Sequence, residues 1–174
     1  MLEGLPSPEP FEHTSINCDN SNILVIFGNI NGGPPLDGLY IASTAPHAIA
    51  RSFSTEGEFI DSIVRVYLLE GGDSVTYRAQ YYRRCLPKVL GGHGAPVFSH
   101  DDLQRKNVML QPDGKLVLVD WEAAGWYPAY WEYASALFAA GGWKDDWYHY
   151  LSIILDEYPN ESLWLSTLRT EIWS

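Results

Sequence analysis

The sequence predicts a single α+β domain that is mostly helical and carries one small β-hairpin. A chain of 174 residues is long enough for one domain with a hydrophobic core and too short for two comfortable ones. Hydrophobic residues make up 46% of the chain and charged residues 19%, which is a globular composition. Apolar residues recur at helical spacing in five segments, whereas two short apolar stretches flank the turn signal Pro112-Asp113-Gly114.

Composition also bears on partners and location. The formal net charge is −11, a surface that repels nucleic acid and anionic membranes, so we predict neither as a partner. Cys18 and Cys85 lack metal-ligand spacing, and we expect two free thiols in a reducing compartment. We find no basic segment followed by an apolar run at the N-terminus, and no apolar stretch approaches the ~20 residues of a membrane span. We therefore expect a cytoplasmic protein.

The first fifty residues look irregular. Residues 1–22 are rich in Pro, Ser, Asn and acidic residues, and residues 1–28 are predicted to form an irregular arm. Within the arm, residues 23–27 form a short apolar run that suits a buried strand or a hydrophobic plug. A break at residues 32–35 follows, and we expect irregular chain up to about Ser52. We place the remaining domain at residues 29–174.

Two helices are predicted before the polar motif. The first has Ser54 as N-cap, runs over about 55–70, and has a buried stripe of Phe59, Ile63, Val66 and Tyr67. The second begins at about Ser74, runs through Tyr77, Tyr81 and Leu86, and ends near Leu90.

Three helices are predicted after Pro128, over about 129–140, 143–157 and 161–172. The second has a stripe of Trp143, Trp147, Leu151 and Ile154, and the third one of Leu165, Leu168 and Ile172.

A polar motif between these helices carries the chemistry. His100, Asp102 and Asn107 form the pattern H-x-D-x-x-x-x-N, and Asp120-x-Glu122 follows after the hairpin. If Asp113-Gly114 is a two-residue turn, Asn107 lies opposite Asp120 with Cβ atoms about 4.5–5.5 Å apart. Both side chains then reach one Mg²⁺, whose ligands lie about 2.1 Å away. Glu122 assists only if the strand continues.

Asp102 lies on the loop before Asn107, where a carboxylate can accept the proton of a substrate hydroxyl. His100 is better placed to brace the loop. Each residue alone is more often an ordinary cap or turn residue, and only the combination indicates phosphoryl-transfer ancestry.

These residues resemble the aminoglycoside phosphotransferase and choline kinase-like group, small-molecule relatives of protein kinases. His100, Asp102 and Asn107 match its H-G-D-x-x-x-x-N signature, Asp120 matches its later metal-binding aspartate, and residues 119–133 look like its fungal branch. The resemblance implies a protein-kinase-like C-terminal lobe with Asp102 as catalytic base and His100 beside it in the catalytic loop. It implies ATP and Mg²⁺ as cofactors, held by Asn107 and Asp120, with Glu122 as a further candidate metal ligand.

The chain departs from the family pattern in three places. Asp101 replaces the family's glycine, and residues 104–106 add two cations at the cleft mouth that either meet an anionic substrate or are solvated. The N-terminal nucleotide lobe is missing, since no lysine precedes Lys88 and the glycine-rich residues 28–33 fit a linker better than a phosphate-binding loop.

The expected function is phosphorylation of a small-molecule hydroxyl, impaired or dependent on a second chain that covers the missing lobe interface. The acidic charge favours a cationic acceptor. Other interpretations remain open: a scaffold that has lost transfer, an ATP-independent acid–base catalyst on a small metabolite, or a fragment or mispredicted product whose exposed interface promotes aggregation.

Overall fold

The computed structural model describes residues 26–41, 51–141 and 146–173. The helices of this part of the chain are α1 (Gly38–Ile41), α2 (Glu56–Gly71), α3 (Thr76–Val89), α4 (Trp131–Ala139), α5 (Trp147–Ile154) and α6 (Pro159–Ile172). Its strands are β1 (Gly28–Asn29), β2 (Val97–Ser99), β3 (Val108–Leu110), β4 (Leu116–Leu118) and β5 (Gly125–Tyr127). No described helix combines the length and apolar character needed to cross a membrane.

The strands form two small antiparallel sheets. One has the order β1-β5-β2, and the other is the hairpin of β3 and β4. The fold is therefore mostly helical α+β, as the sequence predicts. Strand β5 and the three-stranded sheet were not predicted, because three residues give no readable alternation.

The core forms around α2. Phe59 is fully buried, and its ring centroid lies 5.5 Å from that of Phe27, 5.9 Å from Phe53 and 5.0 Å from Trp131. Offset and edge-on ring contacts of this kind add to the stabilisation from burial. The core thus joins the first described residues to helices α2 and α4.

Helix α2 follows the prediction closely. All four residues of its predicted stripe are buried, and it spans almost the predicted range. Its N-cap is Thr55 rather than Ser54, because Thr55 Oγ1 accepts the N–H of Glu58 at 3.1 Å. Ser54 instead donates its backbone N–H to Glu58 at 3.1 Å, so both residues take part in the helix start.

Helix α3 lies close to its predicted range, and of the three residues named for it only Leu86 is buried. Tyr77 is 87% exposed and Tyr81 is 47% exposed, while Ala79, Tyr82 and Leu86 are buried. The buried set keeps helical spacing and includes Leu86, but Ala79 and Tyr82 take the core positions in place of Tyr77 and Tyr81. Tyrosine satisfies either a core or a surface position, so its spacing alone did not identify the buried face.

The last helices pack on the core unequally. Leu165 and Leu168 of α6 are buried, as predicted, and α4 packs along α6. Helix α5 is shorter than predicted and buries Leu151, whereas Ile154 is 56% exposed. The helix ends at Ile154 because Leu155 has an extended backbone. Ile154, the last residue of the predicted stripe, therefore lies at the surface. Trp143 lies outside the described residues.

The hairpin differs from the predicted register by one residue. Val108 pairs with Leu118 and Leu110 with Leu116, because the loop has three residues rather than two. Gly114 N–H bonds to Gln111 O at 2.9 Å, and Gly114 has a φ of 86°. A turn followed by a left-handed glycine is a common three-residue hairpin loop, and it shifts every pairing that was counted from the turn.

Phe27 ends the apolar run that was predicted as a buried strand or plug, and it is buried and pairs with Phe53 in a β-bridge. Two places predicted to be irregular contain structure: Gly28 begins β1, and the short helix α1 lies between the predicted break and Ser52. The domain boundary at residue 28 stays a prediction, since residues 1–25 lie outside the described part. Cys85 is a free thiol, whereas Cys18 lies outside the described residues.

Candidate active site

The loop between β2 and β3, residues 100–107, carries the predicted catalytic residues and is held from behind by α4. Glu132 Oε2 accepts the backbone N–H of His100 at 2.5 Å and that of Asp101 at 3.1 Å. Burial raises the pKa of Glu132, and the two backbone bonds lower it in part. Sequence analysis assigned no role to Glu132. A lone glutamate near a helix start gives no signal of the loop it reaches.

His100 is buried and braces this loop. Its Nδ1 accepts the Asp102 N–H at 3.3 Å, so the ring proton lies on Nε2, which donates to Val119 O at 2.9 Å. The ring also packs edge-on against Trp121, with centroids 4.6 Å apart. Both ring nitrogens are engaged, an arrangement that suits bracing. The predicted place of His100 in catalysis stays a prediction.

Asp102 is surrounded by donors from its own loop. Asn107 Nδ2 donates to Asp102 Oδ2 at 2.8 Å and to the Asp102 carbonyl at 2.9 Å. Gln104 donates to Oδ1, and Lys106 Nζ lies 3.2 Å from Oδ2. Burial raises the pKa of Asp102, but the bonds from Gln104, Asn107 and Lys106 outweigh it, so the net shift is downward. The carboxylate is therefore ionised and oriented.

The two added cations of the loop both have acidic partners. Lys106 pairs with Asp102, while Arg105 pairs with Asp146 and lies over the rings of Trp147 and Tyr150. Each therefore has a partner within the described residues, an arrangement that neither sequence-based alternative included.

The predicted direct pairing of Asn107 with Asp120 is wrong. Asn107 O accepts the N–H of Val119 at 3.0 Å, so Val119 rather than Asp120 lies opposite Asn107. Asp120 follows with a left-handed backbone, φ 68°, and its side chain is exposed. Because φ leaves the strand region there, the pleat that would carry Glu122 to the same face is interrupted.

These residues fit a metal that is held jointly by protein and phosphate. Both side-chain hydrogen bonds described for Asn107 use Nδ2, which leaves its carbonyl oxygen for a cation. Within the described residues, no cluster of three or more His, Cys, Asp or Glu side chains forms a protein-only metal site. Mg²⁺ usually takes one or two carboxylates together with phosphate oxygens and water. The amide oxygen of Asn107 and the exposed carboxylate of Asp120 are ligand types of that kind, but the hairpin register does not place them opposite each other.

A cavity of about 430 Å³ opens beside Asp102. Four carboxyl groups line it, together with apolar residues around α1; the carboxyl groups are those of Asp37, Asp101, Asp102 and Glu122. The structure thus brings Glu122 to the same cavity as Asp102, while Asp120 is not among the lining residues.

Asp37 was missed by sequence analysis and reaches the site through a buried ion pair. Arg169 Nη2 of α6 donates to Asp37 Oδ2 at 2.7 Å and to Ser135 Oγ at 2.8 Å. Asp37 and Arg169 are 6% and 2% exposed. The two residues lie 132 positions apart, and no local pattern signals such a pairing.

Asp101, which replaces the family's glycine, occupies a left-handed backbone with a φ of 65°. Aspartate is one of the few residues other than glycine that adopts this conformation readily. Its side chain is buried, and its Oδ1 accepts the indole N–H of Trp131 at 2.9 Å. The backbone explains why glycine suits this position, and the buried network explains how aspartate replaces it here.

A family model described as the phosphotransferase enzyme family matches residues 59–160, which is more than half of the chain. The chain belongs to this family, and the match contains every predicted site residue from His100 to Glu122. The family assignment supports phosphotransferase activity on small molecules. No curated protein and no solved structure matches the chain.

Proposed function

We propose that this chain is the C-terminal catalytic lobe, residues 29–174, of a small-molecule kinase of the fungal branch, which transfers phosphate from ATP to a hydroxyl. The observation that carries the proposal is the Asp102 carboxylate, ionised and fixed by Asn107 beside a cavity large enough for a small acceptor. Membership of the phosphotransferase family supports it.

Asp102 acts as the base in this proposal. As the acceptor oxygen forms its bond to phosphorus, the hydroxyl proton passes to an Asp102 oxygen, and the nucleoside diphosphate leaves with the electrons of the broken P–O bond. His100 and Glu132 keep the loop in place during this step, through contacts to Val119 O and to two backbone N–H groups. One donor to Asp102 must give way to the acceptor, and the exposed Lys106 side chain is the donor that we expect to move.

Asn107 and Asp120 are the proposed Mg²⁺ ligands, with Glu122 as a further candidate. The ion would neutralise charge on the phosphates of ATP, which is the largest electrostatic requirement of phosphoryl transfer. Asp102, Lys106 and Asn107 would meet the reacting end of the nucleotide, because they share one hydrogen-bonded group.

A second chain is proposed to cover the nucleotide side of the hairpin. Met109, Leu110 and Leu116 are large apolar residues on β3 and β4, and they are 56%, 71% and 70% exposed. Apolar side chains grouped on a two-stranded ribbon favour a covering partner. In this interpretation the chain alone binds ATP weakly, because a lysine from that partner is needed to hold the phosphates.

The acceptor is proposed to occupy the cavity beside Asp102. Asp102 and Glu122 in its lining and the net charge of −11 favour a hydroxyl compound that carries positive charge.

Calorimetric titration of the purified chain with Mg²⁺–ATP tests the proposal, with Asp120→Ala as the variant and Asp113→Ala at the hairpin tip as the matched control. Asp113 is an exposed aspartate of the same hairpin, paired with Lys115 and remote from the catalytic loop. We expect measurable binding that Asp120→Ala weakens at least tenfold and Asp113→Ala leaves unchanged.

A folded chain without binding, at concentrations of Mg²⁺–ATP in the millimolar range, contradicts autonomous nucleotide binding. Equal binding by both variants contradicts the assignment of Asp120. In the first case an assay with candidate acceptors in the absence of ATP decides whether the site performs ATP-independent acid–base chemistry, and Asp102→Asn should abolish that activity.

A further inference from the structure

We propose that Asp101 is a neutral carboxylic acid that donates a hydrogen bond to the Asp37 carboxylate, and that this acid pair positions the catalytic loop. The inference concerns a position where the chain departs from its family, and it does not depend on phosphoryl transfer.

The hydrogen-bond partners of the two carboxyl groups lead to this assignment. Asp37 Oδ1 accepts the N–H of Leu39 at 2.7 Å, and its Oδ2 accepts Arg169 at 2.7 Å, so Asp37 is a carboxylate. Asp101 Oδ1 accepts Trp131, whereas its Oδ2 is buried and makes no hydrogen bond within the described residues. The Tyr127 hydroxyl faces Asp101 but donates to Ala123 O at 3.1 Å. Asp37, which lines the same cavity, is therefore the acceptor within reach of a hydrogen bond from Asp101. Two carboxyl groups form such a bond only when one of them carries a proton.

The charges of the buried group also indicate that Asp101 is protonated. The buried group contains one cation, Arg169, and it already neutralises Asp37. An ionised Asp101 would add an uncompensated negative charge at a position that is 8% exposed. Isolated buried charges are expensive, and such groups take up or release a proton instead. A proton on Asp101 Oδ2 removes the charge and supplies the missing donor in one step.

Other elements around Asp101 provide the remaining charged or titratable groups. Burial raises the pKa of Asp101 most, the Asp37 carboxylate raises it further, Arg169 lowers it in part, and Glu132 of α4 raises it. Tyr40 of α1 and Tyr127 of β5 face the same group, and their pKa values are raised by burial, so neither supplies charge near neutrality.

The acid pair connects the loop to three helices. Asp101 precedes Asp102 directly, contacts α4 through Trp131, and contacts the start of α1 through Asp37. Arg169 joins α6 to the same group through Asp37 and by lying over the Trp131 ring at 5.3 Å. Asp101 is therefore a positioning residue, because its side chain fixes the backbone that presents Asp102.

The first test is the pH dependence of the unfolding free energy of wild type and Asp101→Asn. A neutral Asp101 in the fold has a pKa above its unfolded value of about 4, so its stabilising contribution is lost as pH rises through the folded pKa. Asparagine keeps a donor, is always neutral and tolerates a positive φ. We therefore expect Asp101→Asn to match wild type in acid and to exceed it at alkaline pH.

The matched control is Asp113→Asn. Hydrogen bonds from Lys115 lower the pKa of Asp113, so its contribution has the opposite sign. The competing arrangement is an ionised Asp101 to which Arg169 turns its buried, unpartnered Nη1. In that arrangement wild type gains stability with rising pH through the acid range and Asp101→Asn is the weaker protein at neutral pH. That outcome overturns the proposal.

Infrared spectroscopy tests the proton directly in wild type. The difference spectrum between wild type and Asp101→Asn at neutral pH should contain the carbonyl stretch of a protonated carboxylic acid, and its absence overturns the assignment. If Asp101→Asn does not fold, Asp37→Asn serves instead. Asp101 then becomes the anion of Arg169, so we expect the carboxylic acid band to disappear, and a persisting band contradicts the pair.

Amide hydrogen exchange tests the positioning role. Asp101→Gly suits the backbone but lacks the side chain, so the Asp102 N–H, which bonds to His100, should exchange faster than in Asp101→Asn. Equal exchange in the two variants overturns positioning. None of these measurements requires ATP or activity, so failure of this inference is distinguishable from failure of the proposed kinase function.

Discussion

Glu132 is the residue through which α4 holds the catalytic loop. Replacing it with alanine leaves the N–H groups of His100 and Asp101 buried without an acceptor. Each unsatisfied group costs about 1–3 kcal/mol, so we expect Glu132→Ala to lower the unfolding free energy by roughly 2–6 kcal/mol in urea denaturation. Glu132→Gln keeps an acceptor oxygen and should lose much less. Equal losses in both variants would show that the loop does not depend on this oxygen.

Lys106 is the cation that contacts the proposed base. In the metal-free protein its hydrogen bond and charge help to lower the pKa of Asp102. We expect Lys106→Gln to raise the pKa of Asp102 in a carboxyl NMR titration, and added salt to shift the wild type in the same direction. Lys115→Gln, at the hairpin tip, is the control and should leave Asp102 unchanged.

The downward shift of the Asp102 pKa determines how Asp102 makes the stability of the fold depend on pH. An aspartate with a lowered pKa in the fold stabilises the protein above its unfolded pKa, and the contribution is lost as pH falls through the folded value. Lys106→Gln should therefore reduce the acid dependence of stability that comes from Asp102. An unchanged titration of Asp102 would mean that Gln104 and Asn107 alone determine its pKa.

At the level of single residues, the motif spacing identified the loop of the site but predicted neither the contact between Asp102 and Asn107 nor the residues behind the loop. The contact between Asp102 and Asn107 is local, five residues along one loop, and the structure contains it. Asp37 and Glu132 come from distant elements, at sequence separations for which an isolated acidic residue carries no signal. The residue types of the motif are therefore readable, whereas the residues that support them are not.

The hairpin loop is the element that determined the register. Gly114 has a φ of 86°, and a Cβ added there would meet no atom within 4 Å, so alanine at this position is strained by its backbone alone. We expect Gly114→Ala to destabilise the protein by about 1–2 kcal/mol in thermal or urea unfolding. Gly57→Ala in the first turn of α2, where φ is not left-handed, is the control and should be neutral or slightly stabilising.

The same hairpin shows why register is hard to predict from sequence. Asp-Gly favours a two-residue turn, but a three-residue loop with Gly in the left-handed position uses the same residues. Side chains alternate with a period of two, so one extra loop residue moves Asp120 away from Asn107 across the ladder. Helix α2 was easier to predict, because a buried stripe of four residues along 16 residues indicates a helix clearly.

Across the whole molecule, the ion pair between Asp37 and Arg169 joins the first described helix to the last. Removing one partner of a buried pair leaves an uncompensated charge, which typically costs about 3–5 kcal/mol. We expect Arg169→Met to lose about that much unfolding free energy and the double variant Arg169→Met/Asp37→Asn to regain part of it. Urea denaturation of both variants measures the coupling.

Arg65→Met is the matched control for that cycle. Arg65 pairs with Asp61 at 3.0 Å on the exposed face of α2, and such surface pairs contribute less than about 1 kcal/mol. A comparable loss in Arg65→Met and Arg169→Met would contradict the structural importance of the buried pair.

The sequence by itself determined the class of fold, the position of α2 and the loop that carries His100, Asp102 and Asn107. These features depend on contacts between residues near in sequence, for which spacing and residue type are sufficient. The tertiary structure alone decided the hairpin register, the buried face of α3, and the group of Asp37, Asp101 and Arg169 behind the loop. Those features depend on burial and on contacts between distant segments, and a carboxylate's charge state changes only when the fold removes it from water.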